Sequence, residues 1–393
     1  MSLPVSQRLQ RIRPSPTMAV SALATELRSQ GRRIIDLAAG EPDFDTPEHI
    51  RAAAIEAIRG GATRYTPVEG SAALKAAIIA KFRRENGLDY APGQIIVSSG
   101  AKHSCFNLAM AVLGPGDEAI VPAPCWVSYP DMIRLADAGP VIVPTGIDAG
   151  FKLTARALQA AITPRTRLLF LNSPGNPTGV AYSRAEWQAL GAVLEQHPHI
   201  VIGADDIYEH IYWGAEPFVS FAAACPTLHD RTVTINGVSK SYAMTGWRIG
   251  YAGGPPALIA AMKKLQGHST SNPCSISQAA SIAALDGDQG CVREMARAFR
   301  ERHDYLVAAL DDIPGLRCIP ADGAFYAFPD AQEAIRRKGL ADDTALSTLL
   351  LKEAEVAVVP GSAFGAAGHI RLSYACGLDT LREAVGRIRR VLA

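Results

Sequence analysis

The sequence predicts an α/β protein built on an open, mostly parallel sheet with helices on both faces. Three observations support this prediction. The chain has 393 residues, its middle part alternates short apolar runs with helical patterns, and it contains no short repeat. Strands and helices that alternate at this spacing are typical of parallel sheets. The pattern changes after about residue 286, which indicates a second, smaller α+β domain.

Seven apolar runs are predicted to form the strands of the large domain, with helical patterns between several of them. The runs are Gln94–Ser98, Glu118–Val121, Pro140–Val143, Arg167–Asn172, Ile200–Ala204, Thr232–Asn236 and Arg248–Gly253. The helical patterns include Ala101–Leu113, Tyr129–Ala136 and Arg184–Gln196. Ligands of such sheets bind outside the carboxyl ends of the strands, so polar residues that follow these runs are the first candidates for function.

The last third of the chain is predicted to form the smaller domain. Its elements are a long helix over Gly290–Asp312, a strand over Gly323–Phe328, a helix over Asp342–Glu353, strands near Val356–Pro360 and Ile370–Ser373, and a final helix from Asp379. We therefore expect a large domain over residues 46–286 and a small domain over residues 287–393. Residues 1–45 are too short to fold alone, so this segment should pack on the small domain or on a partner subunit.

The composition argues against several classes of protein. A net charge of +1 gives no reason to expect a nucleic acid or a membrane as partner. No apolar run approaches the length of a membrane span. The seven cysteines form no CxxC pair, which indicates reduced thiols and a cytoplasmic location. The nine histidines have no metal-ligand spacing, so no metal site is predicted.

Lys240 and Arg248 are the first candidates for chemistry. Lys240 follows the apolar run Thr232–Asn236, and Arg248 comes eight residues later. Removal from water and a nearby cation lower the pKa of a lysine, and its free amine can then attack an aldehyde. An arginine can also donate two hydrogen bonds to a phosphate. The alternative interpretation is an ordinary pair of surface cations.

A phosphate-binding turn is predicted where a strand meets a helix. Gly100, Ala101 and Lys102 follow the run that ends at Ser98 and open a helix. Backbone N–H groups at the start of a helix bind phosphate, and small residues let the anion approach. Ser239 could add a hydroxyl to the same phosphate. Turns of this kind are also common without any ligand.

Two further strand ends carry polar residues that suit a pyridine ring. Asn176 lies in a segment rich in proline and glycine, which would hold its amide rigidly. Asp205 ends the run Ile200–Ala204 and could pair with a protonated ring nitrogen, making the ring an electron sink. Tyr208 could bond the phenolic oxygen of the ring. Asp206 is interpreted as a structural neighbour.

Three residues are candidates for the contacts of a substrate. Trp126 follows the strand predicted at Glu118–Val121, where its face could stack on a ring, although a core tryptophan is the alternative. Arg371 lies on a short apolar strand, and a buried arginine needs an anion such as an α-carboxylate. Gly40 would let the backbone approach the same carboxylate closely. A surface ion pair is the alternative for Arg371.

Taken in order along the chain, these segments resemble the motifs of the class I/II aminotransferases. The matching segments are Ala38–Phe44, Asn176–Gly179, Asp205–Tyr208, Ser239–Lys240, Met244–Tyr251 and Arg371–Tyr374. They cover nearly the whole chain, and in combination they are highly specific. The family consists of pyridoxal-phosphate enzymes of fold type I, and the sequence is most similar to its prokaryotic aspartate and prephenate aminotransferases.

The resemblance implies a role for each candidate toward pyridoxal 5′-phosphate. Lys240 would hold the cofactor covalently, Asp205 would pair with the ring nitrogen, and Tyr208 would bond the phenolic oxygen together with Asn176. Trp126 would stack on the ring. The phosphate would be bound by Gly100, Ala101, Lys102, Ser239 and Arg248. Tyr65 matches a tyrosine that reaches the phosphate of the other subunit, which implies a homodimer with shared active sites.

The resemblance also implies the substrate contacts and two departures from the family pattern. The amino acid would be held by Gly40, Trp126, Asn176 and Arg371, and Arg13 could bind a distal carboxylate. Gly237 stands where many relatives have a phosphate-binding serine. Met110 stands near a position where some relatives specific for dicarboxylates have a polar or cationic residue.

We therefore expect an aminotransferase that moves the amino group of an amino acid, with L-aspartate the best single choice, to 2-oxoglutarate in a ping-pong cycle. Freed Lys240 would transfer a proton between Cα and the cofactor. Aromatic amino acids, prephenate and alanine remain alternative substrates. A C–S β-lyase on the same scaffold and a non-catalytic cofactor-binding module are the rival functions.

Overall fold

The computed structural model describes residues 5–12 and 16–393 of the chain. The strands are Ile35–Asp36 (β1), Ile95–Ser98 (β2), Glu118–Ala123 (β3), Gly139–Pro144 (β4), Thr166–Asn172 (β5), Val201–Asp205 (β6), Thr232–Gly237 (β7), Gly250–Gly253 (β8), Tyr326–Ala327 (β9), Val356–Ala357 (β10), Val359–Pro360 (β11) and Ile370–Ser373 (β12). The α-helices are Pro16–Ser29 (α1), Glu48–Arg59 (α2), Ala72–Lys81 (α3), Ala101–Val112 (α4), Ser128–Leu135 (α5), Ala155–Ala161 (α6), Arg184–Glu195 (α7), Phe221–Ala224 (α8), Pro256–Gly267 (α9), Ser275–Asp286 (α10), Gly290–Asp311 (α11), Gln332–Arg337 (α12), Asp343–Leu349 (α13) and Leu378–Leu392 (α14).

The largest sheet has seven strands in the order β2-β8-β7-β6-β5-β3-β4. Strand β8 runs antiparallel to both of its neighbours, and the other pairs are parallel. This arrangement confirms the predicted mostly parallel sheet, and each of the seven predicted runs overlaps one of its strands. The predicted strand Arg248–Gly253 is wrong at its start, because Arg248 has a left-handed backbone (φ 58°) and pairing begins at Gly250.

Helices cover both faces of this sheet, as the side chains of β5 illustrate. Leu168 and Phe170 pack with α4, α5 and α9, whereas Leu169 and Leu171 pack with α7. Alternate residues of a strand point to opposite faces, so a strand with two covered faces is apolar along its whole length. This explains why the predicted runs are continuous rather than alternating.

The carboxyl ends of the parallel strands meet at one edge of the sheet. There β5 ends at Asn172, β6 at Asp205 and β7 at Gly237, three residues before Lys240. In the register of the sheet Asn172 lies opposite Asp205. The polar residues predicted at separate strand ends are therefore brought to the same edge.

The second part of the chain forms two small sheets, β11-β12-β9 and the parallel pair β1-β10. The predicted strand over Gly323–Phe328 is shorter than expected, since only Tyr326–Ala327 pairs with β12. Ile35 lies opposite Val356, so the chain before residue 45 contributes a strand to this part. Helices α11 and α14 complete its core, with Phe299, Leu306 and Ile388 fully buried.

Two further findings bear on the predictions made from composition. The described helices include none that is long and apolar enough to cross a membrane. All seven cysteines lie within the described residues, and every one is a free thiol.

Candidate active site

A cavity of about 430 Å³ lies at the carboxyl ends of the strands, and most of the predicted site residues line it. These are Gly40, Ala101, Lys102, Trp126, Asn176, Asp205, Tyr208, Ser239, Lys240, Arg248 and Arg371. Its described lining includes four cationic side chains and a single carboxylate. Such a cavity favours ligands that carry several negative charges.

Lys240 is half-buried in the cavity, and its ammonium donates a hydrogen bond of 2.5 Å to the carbonyl of Gly40. Burial lowers the pKa of Lys240 to about 8, and the charges of Arg371 and Arg248 act in the same direction. The carboxylates of Glu41 and Asp205 act against this shift. A lysine in this environment supplies free amine at a pH where an exposed lysine remains protonated.

Gly100 and Arg248 form a tight contact at the start of α4. Gly100 has a φ of +91°, and a Cβ atom there would lie 2.2 Å from Nη2 of Arg248. The guanidinium donates hydrogen bonds to the carbonyls of Thr245 and Ser99, so it is held across the turn. A glycine at position 100 is what lets the arginine lie against the N-terminus of a helix, where an anion is also favoured.

Gly237 is enclosed by the backbone of the neighbouring strand. A Cβ atom there would lie 3.0 Å from Cα of Gly250 and 3.0 Å from the carbonyl oxygen of Ile249. A serine would therefore crowd the backbone of β8. Packing in this sheet therefore favours the glycine, and Ser239, next to Lys240 in the sequence, supplies a hydroxyl to the cavity lining.

Asp205 is buried and held by donors. Its Oδ2 accepts a hydrogen bond of 2.7 Å from the hydroxyl of Tyr129, and its Oδ1 accepts one of 3.3 Å from the backbone N–H of Ile207. Burial raises the pKa of Asp205, and these hydrogen bonds oppose the shift. A cationic group placed against this carboxyl would favour its ionised form.

Asp206 differs from Asp205 in its surroundings. It is fully enclosed, its Oδ2 has no hydrogen-bond partner among the described residues, and it does not line the cavity. Burial and the negative charge of Glu209 raise its pKa well above the usual range. This agrees with the interpretation of Asp206 as a structural neighbour of Asp205.

Arg371 is the most deeply buried of the four cations that line the cavity. Its side chain is 2% exposed, and its guanidinium donates hydrogen bonds to Oδ1 of Asn176 (3.0 Å) and to the carbonyl of Ala38 (2.7 Å). Its Nε has no hydrogen-bond partner among the described residues. No described carboxylate lies within ion-pair distance of it, and only the more distant charge of Asp36 opposes the lowering of its pKa by burial, together with Tyr326 and Tyr208. A buried guanidinium without an anion is costly unless a ligand supplies one.

Tyr326 is a site residue that the sequence reasoning missed. Its ring lies 4.4 Å from the guanidinium carbon of Arg371, and its hydroxyl lies 3.0 Å from the hydroxyl of Tyr208. The hydroxyl also approaches Gly40 so closely that a Cβ there would lie 3.4 Å away. Tyr326 reads as an ordinary residue of an apolar strand, so only its position in β9 beside β12 reveals it.

Lys102 and Trp126 form a pair on the side of α4. The ammonium of Lys102 lies 5.0 Å from the centre of the Trp126 ring, a distance typical of a cation–π interaction. Burial lowers the pKa of Lys102, as does the charge of Arg248. Both residues line the cavity, and Trp126 packs edge-on against Tyr129 at 5.3 Å.

Among the described residues, the predicted site residues Gly100 and Tyr65 do not line the cavity of this subunit. Tyr65 is 91% exposed and lies on the surface. Arg13 lies outside the described residues. Met110 is half-buried on α4 and packs against the core between the sheet and its helices.

The fold and this cation-lined cavity define an α/β enzyme of the aminotransferase class, and comparisons with known proteins agree. Residues 32–388 match the model of the family described as aminotransferase class I and II. The aspartate/prephenate aminotransferase of Nitrosomonas europaea is 55% identical over 395 residues, covering 99% of this chain and 100% of that protein. The enzyme of the same name from Cereibacter sphaeroides is 50% identical over 394 residues, covering 99% and 98%.

Solved structures give the same result. The aspartate aminotransferase from Rhizobium meliloti superposes with a TM-score of 0.95 at 46% identity, covering 100% of this chain and 99% of that one. The Thermus thermophilus aspartate aminotransferase with maleate superposes with a TM-score of 0.93 at 44% identity, covering 99% and 100%. This chain belongs to the class I and II aminotransferase family, and the predicted fold class is confirmed.

Proposed function

We propose that this aminotransferase binds pyridoxal 5′-phosphate and transfers the amino group of L-aspartate to 2-oxoglutarate. The observation that carries the proposal is Arg371, a buried guanidinium that faces the cavity without a carboxylate partner. An α-carboxylate would supply the missing anion through two hydrogen bonds. Asn176 and Tyr326 hold the guanidinium in place for that contact.

The residues present fit this cofactor. The contact between Gly100 and Arg248 leaves a cradle of backbone N–H groups and a guanidinium, which suits a phosphate. Asp205 is a buried acid held by donors, which suits a protonated ring nitrogen. The amine of Lys240 has a lowered pKa, which suits attachment to an aldehyde.

When bound, the cofactor withdraws electrons from the Cα of the substrate through its protonated ring. Asp205 would stabilise that protonated ring by its negative charge. Tyr208, oriented by the hydroxyl of Tyr326, would donate to the phenolic oxygen. Lys240 would take the proton from Cα as general base and deliver it to the C4′ carbon of the cofactor as general acid.

The choice of a dicarboxylic substrate rests on Lys102. Its ammonium lies over Trp126, and no ion pair joins it to a carboxylate in the part of the chain that the structure describes. The sequence placed Lys102 in the phosphate site, yet its position beside Trp126 also suits the distal carboxylate of aspartate. Relatives named aspartate/prephenate aminotransferase support this choice, and prephenate too carries two carboxylates.

Several further features belong to the same proposal. We infer a homodimer in which Tyr65 reaches the phosphate of the other subunit, since 91% of Tyr65 is exposed in a single chain. The division into residues 1–45, 46–286 and 287–393, with the last part closing on the substrate, also stays a proposal. The same holds for a cytoplasmic location and for a contact between Arg13 and the substrate.

The proposal is tested by half-reactions of the cofactor-loaded protein. L-aspartate, L-glutamate, L-alanine and L-phenylalanine are each added without an oxo acid, and the absorbance of the bound cofactor is followed. We expect aspartate to react fastest. Release of pyruvate and ammonia from cystathionine without an acceptor would instead favour the β-lyase. A loaded protein that reacts with no amino acid would favour a binding module.

The Lys102→Met variant tests the substrate assignment. A hydrogen bond between charged groups contributes about 1.5–3 kcal/mol, so kcat/KM for aspartate should fall by roughly 10- to 100-fold. The value for alanine, which has no distal carboxylate, should stay within about threefold of the parent enzyme. If kcat/KM instead fell equally for both substrates and the cofactor bound more weakly, Lys102 would be assigned to the phosphate site.

A further inference from the structure

A group of enclosed polar side chains lies outside the cavity and takes no part in the mechanism above. We call it the buried ion cluster and define it as Lys81, Glu85, Asn86, Glu209 and His210. Lys81 and Glu209 are 0% and 6% exposed, and the other three are half-buried. None of the five lines the cavity. Charged groups at this depth call for an explanation.

The cluster is centred on the ion pair between Lys81 and Glu209. The Lys81 ammonium also donates to Oδ1 of Asn86 at 2.7 Å, and the amide of Asn86 donates to Glu209 at 2.6 Å. Glu85 lies 2.8 Å from Nε2 of His210 and 3.6 Å from Lys81. Burial would raise the pKa of Glu85, but His210 and Lys81 outweigh it and lower the pKa to about 2.

The cluster has ligand types that a metal ion could use, yet a lysine already fills the place of the cation. Ligand atoms of Glu85, Glu209 and His210 lie within 4.8 Å of one another. The ammonium of Lys81 contacts both carboxylates. A divalent ion would therefore have to displace a buried positive charge, so we assign the cluster a role other than metal binding.

Two hydrogen bonds connect the cluster to the segment that carries Lys240. The side-chain amide of Asn236 donates through Nδ2 to Glu209 at 2.8 Å, and its Oδ1 accepts a hydrogen bond of 2.7 Å from the backbone N–H of Gly237. On the other side of the lysine, Oγ of Ser241 lies 3.0 Å from Nδ1 of His210. The cluster thus contacts the chain just before and just after Lys240.

The same cluster is part of the segment that carries the acid and the tyrosine of the site. Glu209 and His210 directly follow Tyr208, four residues after Asp205. From α3 and the turn after it come Lys81, Glu85 and Asn86. Three separate parts of the chain therefore meet at one set of fixed charges.

Stability alone does not explain why these charges are buried. Replacing a buried ion pair by apolar residues of similar size is often neutral or stabilising, because the removal of charges from water offsets their attraction. An ion pair of defined geometry does, however, hold the chain segments that carry its residues in fixed relative positions. We propose that the buried ion cluster positions Lys240 relative to Asp205 and Tyr208. This inference rests on the proposed role of Lys240 in transamination.

The first test compares Lys81→Met with Lys81→Met/Glu209→Gln in the cofactor-loaded protein. The single variant leaves Glu209 without its cation, so its Tm should fall sharply, whereas the double variant should recover most of that loss. Although the double variant should be stable, its kcat for aspartate should fall at least tenfold. The reason is that a misplacement of a catalytic group by about 1 Å can lower the rate on the order of 100-fold. KM for aspartate should stay within about twofold, because Arg371 and Lys102 are untouched.

A second readout does not depend on turnover. The absorbance of the bound cofactor is titrated with pH, and the midpoint reports the surroundings of its link to Lys240. We expect this midpoint to move in the double variant. The matched control is Lys152→Met/Glu186→Gln, which removes a partly exposed Lys–Glu pair of 2.9 Å while the glutamine keeps the cap of α7. Its kcat and midpoint should equal those of the parent.

A double variant that folds and keeps both kcat and the midpoint would overturn the proposal. If the double variant does not fold, Asn236→Ala and Ser241→Ala take its place, since each removes one connection to the Lys240 segment and leaves the central ion pair. Both substitutions should lower kcat and move the midpoint of the pH titration. If both variants kept the kcat and the midpoint of the parent, the proposal would likewise be overturned. A parent protein that does not transaminate aspartate would contradict the proposed function instead, and the pH titration would still test the positioning of Lys240.

Discussion

The hydroxyl of Tyr326 lies 3.0 Å from the hydroxyl of Tyr208. The same tyrosine places its ring 4.4 Å from the guanidinium carbon of Arg371. Tyr326 therefore contacts both the arginine proposed to bind the substrate carboxylate and the tyrosine proposed to contact the cofactor ring. Tyr326 lies on β9, which pairs with β12, the strand that carries Arg371, so the sheet fixes the two residues relative to each other.

Two variants of Tyr326 should separate these contacts. Tyr326→Phe keeps the ring under Arg371 and removes the hydroxyl, so KM for aspartate should stay within about twofold while kcat falls by roughly fivefold, the effect of a hydrogen bond of about 1 kcal/mol. Tyr326→Leu also removes the ring and should raise KM, because a desolvated cation–π contact contributes about 2 kcal/mol. Steady-state kinetics with aspartate measure both. A phenylalanine variant with raised KM and normal kcat would contradict the assignment.

The environment of Lys240 predicts the pH at which its amine reacts. Burial lowers the pKa of Lys240 to about 8 from the ordinary 10.5, so the amine is protonated below that pH and free above it. The rate at which cofactor-free protein captures pyridoxal 5′-phosphate should therefore rise with pH and level off above about 8. Absorbance after stopped-flow mixing gives this rate. A rate that keeps rising beyond pH 10 would show that the amine is not desolvated.

The cradle at Gly100 predicts a loss of cofactor binding that exceeds the loss of stability. Gly100→Ala forces a side chain into a backbone with φ +91° and displaces the guanidinium of Arg248. Strain of this kind costs about 1–3 kcal/mol. Gly116→Ala is the matched control, since Gly116 has φ +89° with open space around it. Without cofactor, the Tm of both variants should fall by similar amounts. Only the Gly100 variant should bind pyridoxal 5′-phosphate more weakly, as measured by equilibrium titration.

Much of this fold was predictable because its signals are local. Strands such as β5 and β7 are buried on both faces, so they are continuous apolar runs in the sequence. Polar residues at their ends converge because parallel strands end at one edge. Arg248 was the exception within a predicted strand, since its left-handed backbone follows from the turn Thr245–Trp247 and from its contact with Gly100.

The features that the sequence did not reveal depend on contacts between distant segments. Tyr326 meets Tyr208 across 118 positions, and Lys81 meets Glu209 across 128. Neither Tyr326 nor Lys81 has neighbours in sequence that set it apart from a core tyrosine or a surface lysine. The sequence showed that Gly237 replaces the phosphate-binding serine of many relatives, but only the structure shows its close packing against Gly250.

Tyr65 offers a direct test of the shared active site. In a homodimer with shared sites, a Lys240→Ala subunit and a Tyr65→Ala subunit together form one site with both defects and one intact site. Mixing the two inactive or weakened proteins under conditions that exchange subunits should therefore restore up to half of the parental activity per hybrid dimer. If Tyr65 acted within its own subunit, each hybrid would hold two defective sites and mixing would restore nothing. The surface location of Tyr65, 91% exposed, is consistent with action on the other subunit.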